Sequence, residues 1–66
     1  KQQAAADPIG EAQRLLNKLG FNIGEPDGRM GVRTTNAIRL FQLQYGLKVT
    51  GEVTADLISQ LQKRAG

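Results

Sequence analysis

The stretch Asp27-Gly28-Arg29-Met30-Gly31-Val32-Arg33-Thr34-Thr35-Asn36-Ala37-Ile38-Arg39-Leu40-Phe41-Gln42 sets how the rest of this 66-residue chain is read. It opens as a tight turn, because Asp-Gly supplies a positive φ without a Cβ clash. Gly31 follows three residues later, and both glycines are expected to allow the turn. The pattern then becomes helical. Thr34, Ala37, Ile38, Phe41 and Tyr45 stand at i, i+3, i+4, i+7 and i+11, one face of an α-helix. A glycine-pinned turn feeding a helix makes a rigid platform.

On the N-terminal side, Asp7-Pro8 reads as a helix start, with Asp as N-cap and Pro at the first helical position. Ile9, Ala12, Leu15, Leu16 and Leu19 form one apolar stripe, and Gly20 is the expected C′ stop, with Phe21 folding back on Leu16. The first helix is predicted at about 8–19. Residues 20–31 hold four glycines and Pro26, so they form a connector, with Phe21 and Ile23 tucked beneath it. The second helix is predicted at about 32–45, ending at Gly46 with Leu47 packed back on Phe41. A turn over 48–52 leads to Thr54, the N-cap of a third helix predicted at about 54–64. Val53 and Ile58 have the spacing of a hydrophobic staple, and Val53, Leu57, Ile58 and Leu61 give its buried side. Lys63 and Arg64 suit its dipole. The implied architecture is a compact all-α three-helix bundle with a long Gly-rich loop between helices 1 and 2.

A short internal repeat is visible. Asp27-Gly28-Arg29-Met30-Gly31 and Thr50-Gly51-Glu52-Val53-Thr54 each run small polar residue, Gly, charged residue, apolar residue, helix cap. Each follows a helix that ends in Gly plus an apolar residue.

Composition sets limits. A single domain is expected over residues 8–64, with residues 1–7 as the end of a linker from a longer protein. A chain this short buries roughly 60% of its unfolded surface, so its core must be economical. There is no cysteine and no histidine, which excludes disulfides and a Cys/His zinc site. The net charge of +3 is a mild bias, compatible with an anionic partner without requiring one. No apolar run approaches the ~18 residues that span a bilayer, so direct membrane insertion is not expected.

Catalysis is not expected either. No histidine base or cysteine nucleophile is available, and the six carboxylates (Asp7, Glu11, Glu25, Asp27, Glu52, Asp56) fall mostly at caps and turns. Asp27-Gly28 lacks the repeating oxygen ligands and closing Glu of a calcium loop, and no cofactor or metal is implied. A helix-turn-helix reading for nucleic acid meets two obstacles. The connector far exceeds the usual turn of about three or four residues. The third helix, which would have to read bases, begins Thr54-Ala55-Asp56-Leu57 and offers few base-reading side chains.

The spacing Leu15-Leu16 to Gly20-Phe21, then Asp27-Gly28-x-Met30-Gly31-x-x-Thr34-x-x-Ala37-Ile38-x-x-Phe41-Gln42, then Gly46-Leu47-x-Val49-x-Gly51, resembles the small peptidoglycan-binding domain of bacterial cell-wall hydrolases and envelope proteins. The resemblance covers about residues 8–62. It implies a non-catalytic orthogonal three-helix bundle that binds cell-wall peptidoglycan and tethers a parent protein. It also implies an extracytoplasmic location, in periplasm or cell wall. Two departures stand out. Where the family often has a proline and a Thr-Trp pair at the third helix, this chain has Ala55 and Leu57-Ile58. Where it commonly has small or polar residues on the second helix, this chain has Leu40 and Leu43. The simpler expectation is that helix 1 or 3 wraps far enough to bury Leu40. The alternative is an outward Leu pair that contacts a neighbouring domain.

The matched motif residues are mainly scaffold: Gly28 and Gly31 allow the turn, Asp27 ties it, and Ala37, Ile38 and Phe41 are core. For Gln42, bonding to a loop backbone and ligand contact are both open. Peptidoglycan offers sugar hydroxyls, N-acetyl groups and stem-peptide carboxylates. Arg29 on the turn and Arg33 in the first helical turn suit a carboxylate, and the helix N-terminus adds free N–H groups. Asn36 lies one turn from Arg33. Arg29, Arg33 and Asn36 are therefore the expected ligand contacts. The competing reading is a protein–protein interaction or regulatory module using the outer face of the second helix.

Overall fold

In the computed structural model, which describes residues 7–65, Asp7 starts the first helix by accepting the Gly10 N–H on its carboxylate at 3.0 Å. Helix α1 runs Pro8–Lys18, with Pro8 at the position where a missing N–H costs nothing. It ends in a Schellman motif: Phe21 N–H donates to the Leu16 carbonyl at 2.9 Å and Gly20 N–H to that of Asn17 at 3.0 Å. Helix α2 runs Val32–Gln44 and ends the same way, with Leu47 N–H on the Gln42 carbonyl at 2.8 Å. Helix α3 runs Ala55–Ala65, and the Thr54 hydroxyl caps it by accepting the Leu57 N–H at 3.1 Å. All three helices fall within about a residue of their predicted bounds. Of the linker expected over residues 1–7, Asp7 is the N-cap of α1, and residues 1–6 lie outside the described residues.

Helix α1 is central, packed along α3 and touching α2. Its Ala12 and Leu16 meet Ala37, Ile38 and Phe41 of α2, and Leu57 and Leu61 of α3, in one buried cluster. Phe21, Leu47, Val53 and Ile58 pack against its margin as half-buried residues. Phe41 is the centrepiece. Its ring meets Phe21 edge-on with centroids 6.2 Å apart and lies 4.9 Å from Tyr45. Arg64 stacks over the Tyr45 ring at 4.5 Å from its centroid, so this last-turn cation does more than complement the dipole.

The long connector is held down by Asn17. Its amide nitrogen donates to the Gly24 carbonyl at 2.7 Å, and its oxygen accepts the Ile23 N–H at 2.7 Å. This hold sends Ile23 into the core. The radius of gyration, 10.8 Å, equals the value of about 11 Å expected for a chain of this length. The loop therefore lies on the helices rather than away from them.

Two expectations need correction. Leu40, expected to be buried, is 56% exposed, because neither α1 nor α3 reaches across the outer face of α2; Leu43 beside it is 69% exposed, as expected on either reading. Gly31 does not supply a left-handed turn residue. Its φ of −128° and ψ of −179° are extended, as an N-cap requires, and Gly28 alone of the two has a positive φ, 73°.

Candidate functional site

The site is built around one buried side chain. Gln13, on α1, is 2% exposed and points at the turn before α2. Its carbonyl oxygen accepts the Gly28 N–H at 2.9 Å. Its amide nitrogen faces three acceptors: the Arg29 carbonyl at 2.9 Å, the Thr34 hydroxyl at 3.0 Å and an Asp27 carboxylate oxygen at 3.1 Å. Two amide hydrogens thus serve three oxygens, a shared arrangement that ties turn, helix start and α1 together. The same Asp27 oxygen accepts the Arg29 N–H at 2.9 Å.

The Arg29 N–H and then the Gln13 amide hold the Asp27 carboxyl below the ordinary carboxylate range. A folded-state pKa below the unfolded one means the tie is present above the unfolded value and lost as pH falls through the folded one. The turn is therefore expected to stay tied throughout neutral and mildly acidic conditions. An NMR titration of the Asp27 carboxyl carbon checks this, with an inflection expected below the usual range.

Above Gln13 and Ile23 opens a cleft of about 340 Å³, walled by the turn and the first residues of α2. Arg29 and Arg33 both line it, with Glu25 and Asp27. Arg33 leans back over the connector, so that a Cβ on Gly24 would sit 3.0 Å from its Nη1. Among the described residues the one ion pair is Glu11–Arg14, which leaves Arg29 and Arg33 without a salt-bridged carboxylate. Helix α2 has no side-chain cap. The N–H groups of Val32, Arg33 and Thr34 have no intrahelical acceptor, and they add partial positive charge at the cleft. Two guanidiniums beside an uncapped helix start can hold a carboxylate. Asn36 is exposed on α2 but lies outside the cleft walls. The structure thus brings two of the three expected contacts together.

The internal repeat is a repeated device. Gln42, from α2, accepts the Thr50 and Gly51 N–H groups at 2.8 and 3.0 Å and donates to the Thr50 hydroxyl at 3.1 Å. Gly51 has φ 72°, matching Gly28, and the Thr50 hydroxyl accepts the N–H two residues on, as Asp27 does. Gln42 therefore bonds a loop backbone. A second cleft of about 220 Å³ lies beside this turn, but there Thr54 caps the helix, and Glu52 and Asp56 face a single Lys48. An anion is suited by the first cleft and not by the second.

Gln13 and Asn17 carry no local signal, because a polar residue on a helix reads as solvent-facing until its partners are known. Gln42 offered the clue. A Gln preceding one Gly turn in a repeat invites a search for its counterpart before the other.

The family model described as "Putative peptidoglycan binding domain" matches residues 5–64. The chain is similar to N-acetylmuramoyl-L-alanine amidase CwlM of Mycobacterium tuberculosis, 40% identical over 68% of this chain and 11% of that protein. It is similar to Localization factor PodJL of Caulobacter vibrioides, 38% identical over 88% of this chain and 6% of that one. It is also similar to the Spore cortex-lytic enzyme of Halalkalibacterium halodurans, 33% identical over 91% of this chain and 18% of that enzyme. The chain spans less than a fifth of the length of these relatives. No solved structure matches it.

Proposed function

Because this chain belongs to the peptidoglycan-binding domain family, we propose that it binds cell-wall peptidoglycan without catalysing its cleavage and holds a parent protein at the wall, outside the bacterial cytoplasm. The observation that carries this reading is the family match over residues 5–64, nearly the whole chain. The matched relatives include an amidase and a cortex-lytic enzyme, in which the similar stretch is a small part of a longer protein.

The cleft before α2 is the proposed ligand site. Arg29 and Arg33 pair a stem-peptide carboxylate, the free N–H groups of α2 assist them, and Asn36 reaches a more distant polar edge of the glycan or peptide. Cosedimentation with purified insoluble peptidoglycan tests the function. Retention of the domain, reduced by added salt, is expected; a domain that stays wholly in the supernatant would overturn the reading.

The open start of α2 carries its own prediction. A Cβ on Gly31 meets nothing within 4 Å, and its backbone already suits an N-cap. Gly31→Ser should stabilise the domain by about 0.5 kcal/mol through a new cap and a less flexible unfolded chain. The same cap engages an N–H that the ligand needs, so retention on peptidoglycan should fall as the urea midpoint rises.

The outer face of α2 favours a second reading. Val32, Leu40 and Leu43 are exposed there between Arg33 and Arg39, and α2 contains no acidic residue. A face that is apolar and purely basic suits an acidic, apolar-faced protein segment, and one relative is a localization factor. Retention on peptidoglycan that survives Leu40→Ser/Leu43→Ser would separate this face from the cleft.

A further inference from the structure

Peptidoglycan binding at the cleft, as proposed above, requires Arg29 to be held in place on a turn that is itself neither helix nor strand. We propose that Gln13 is a positioning residue for that site, setting the place of Arg29 through the backbone it grips. The Arg29 side chain is exposed, yet both polar groups of its backbone are fixed: its N–H on Asp27 and its carbonyl on Gln13. Gln13 also holds the next residue back, Gly28, and the helix residue Thr34. One buried amide therefore fixes the distance between the turn that bears Arg29 and the helix start that bears Arg33. A guanidinium pair can meet one carboxylate only if that distance is kept. Gln13 sits at the base of the cleft, beneath these walls.

Gln42 supplies the internal control, since it grips the second turn with the same chemistry and lies outside this cleft. Gln13→Met and Gln42→Met each remove a buried clamp, and both should lower stability. They differ in binding. Measured at a temperature where circular dichroism shows both variants folded, Gln13→Met should lose about tenfold in retention on purified peptidoglycan, the scale of a displaced contact group. Gln42→Met should stay within about twofold of the wild type, since nothing it grips lines the cleft.

Action through Arg29 has a further signature. In an Arg29→Ala background the Gln13→Met effect should shrink to about twofold, because the group it positions is gone. A loss of equal size in the two glutamine variants, or a full tenfold loss persisting without Arg29, would overturn the proposal while leaving peptidoglycan binding in place. A wild-type domain that is not retained at all would overturn both.

Gln13→Glu covers the case in which Gln13→Met does not fold. It keeps the acceptor for the Gly28 N–H and loses the donors, placing a carboxylate beside Asp27 that is driven toward protonation. Retention of Gln13→Glu relative to wild type should recover as pH is lowered from about 8 to about 5, as the protonated acid regains one donor. A ratio that does not change across that range would overturn the proposal.

Discussion

Phe41→Ala is expected to leave most of the domain unfolded at room temperature. Phe41 is fully buried in the core cluster to which α1, α2 and α3 all contribute, beside the Phe21 and Tyr45 rings. Truncating a buried Phe costs about 3–5 kcal/mol, the sum of lost transfer energy and the cavity left behind. A core in a chain this short rarely supplies more than about 3–5 kcal/mol of total stability, and without cysteine no disulfide supplements it. The loss is therefore comparable with everything the fold has. The cavity cannot collapse easily, since Phe21 and Tyr45 both follow or end helices fixed by Schellman-type hydrogen bonds. Phe41→Leu should cost less and remain folded, because it retains most of the volume. Urea titrations followed by circular dichroism check both, with Phe41→Ala expected to lack a folded baseline.

The second large effect concerns binding alone. Arg29→Ala/Arg33→Ala should reduce retention on peptidoglycan about thirtyfold, while the urea midpoint barely moves. Charge-assisted hydrogen bonds reach about 1.5–3 kcal/mol when shielded, and exposed ion pairs reach about 1 kcal/mol at most. Both arginines are exposed, so the lower figure applies to each. Together they give about 2 kcal/mol, or a factor of about thirty. Neither side chain has a salt-bridge partner among the described residues, so their removal should change stability by less than about 0.5 kcal/mol. The salt dependence of retention should also flatten in the double variant, as the charges responsible for it are gone.

The helices were legible in the sequence because their ends are local. Gly20 and Gly46 stop α1 and α2 at left-handed positions, and Asp7 and Thr54 cap α1 and α3 within three residues of themselves. The apolar stripes through Leu16, Ile38, Phe41 and Leu61 are equally local, and they define the core. The clamps were not legible. Gln13 bonds to residues 14 to 21 positions ahead, and nothing in its immediate neighbourhood marks it as buried. Leu40 went the other way. Its burial depended on how far α1 and α3 extend around α2, which is a property of packing angles and not of α2's own pattern. Arg29 and Arg33 both line the cleft because one sits on the turn and the other in the first turn of α2, whereas whether Asn36 reaches it depended on where the turn's wall ends.

Chemical-shift mapping with a soluble peptidoglycan fragment, a disaccharide carrying its stem peptide, tests the proposed binding cleft most directly. Saturable shifts centred on the backbone amides of Arg29 and of residues 31–34, absent in Arg29→Ala/Arg33→Ala, are the predicted result. Saturable shifts confined to the α1–α3 face or to Leu40 and Leu43, with those amides unmoved, would contradict it.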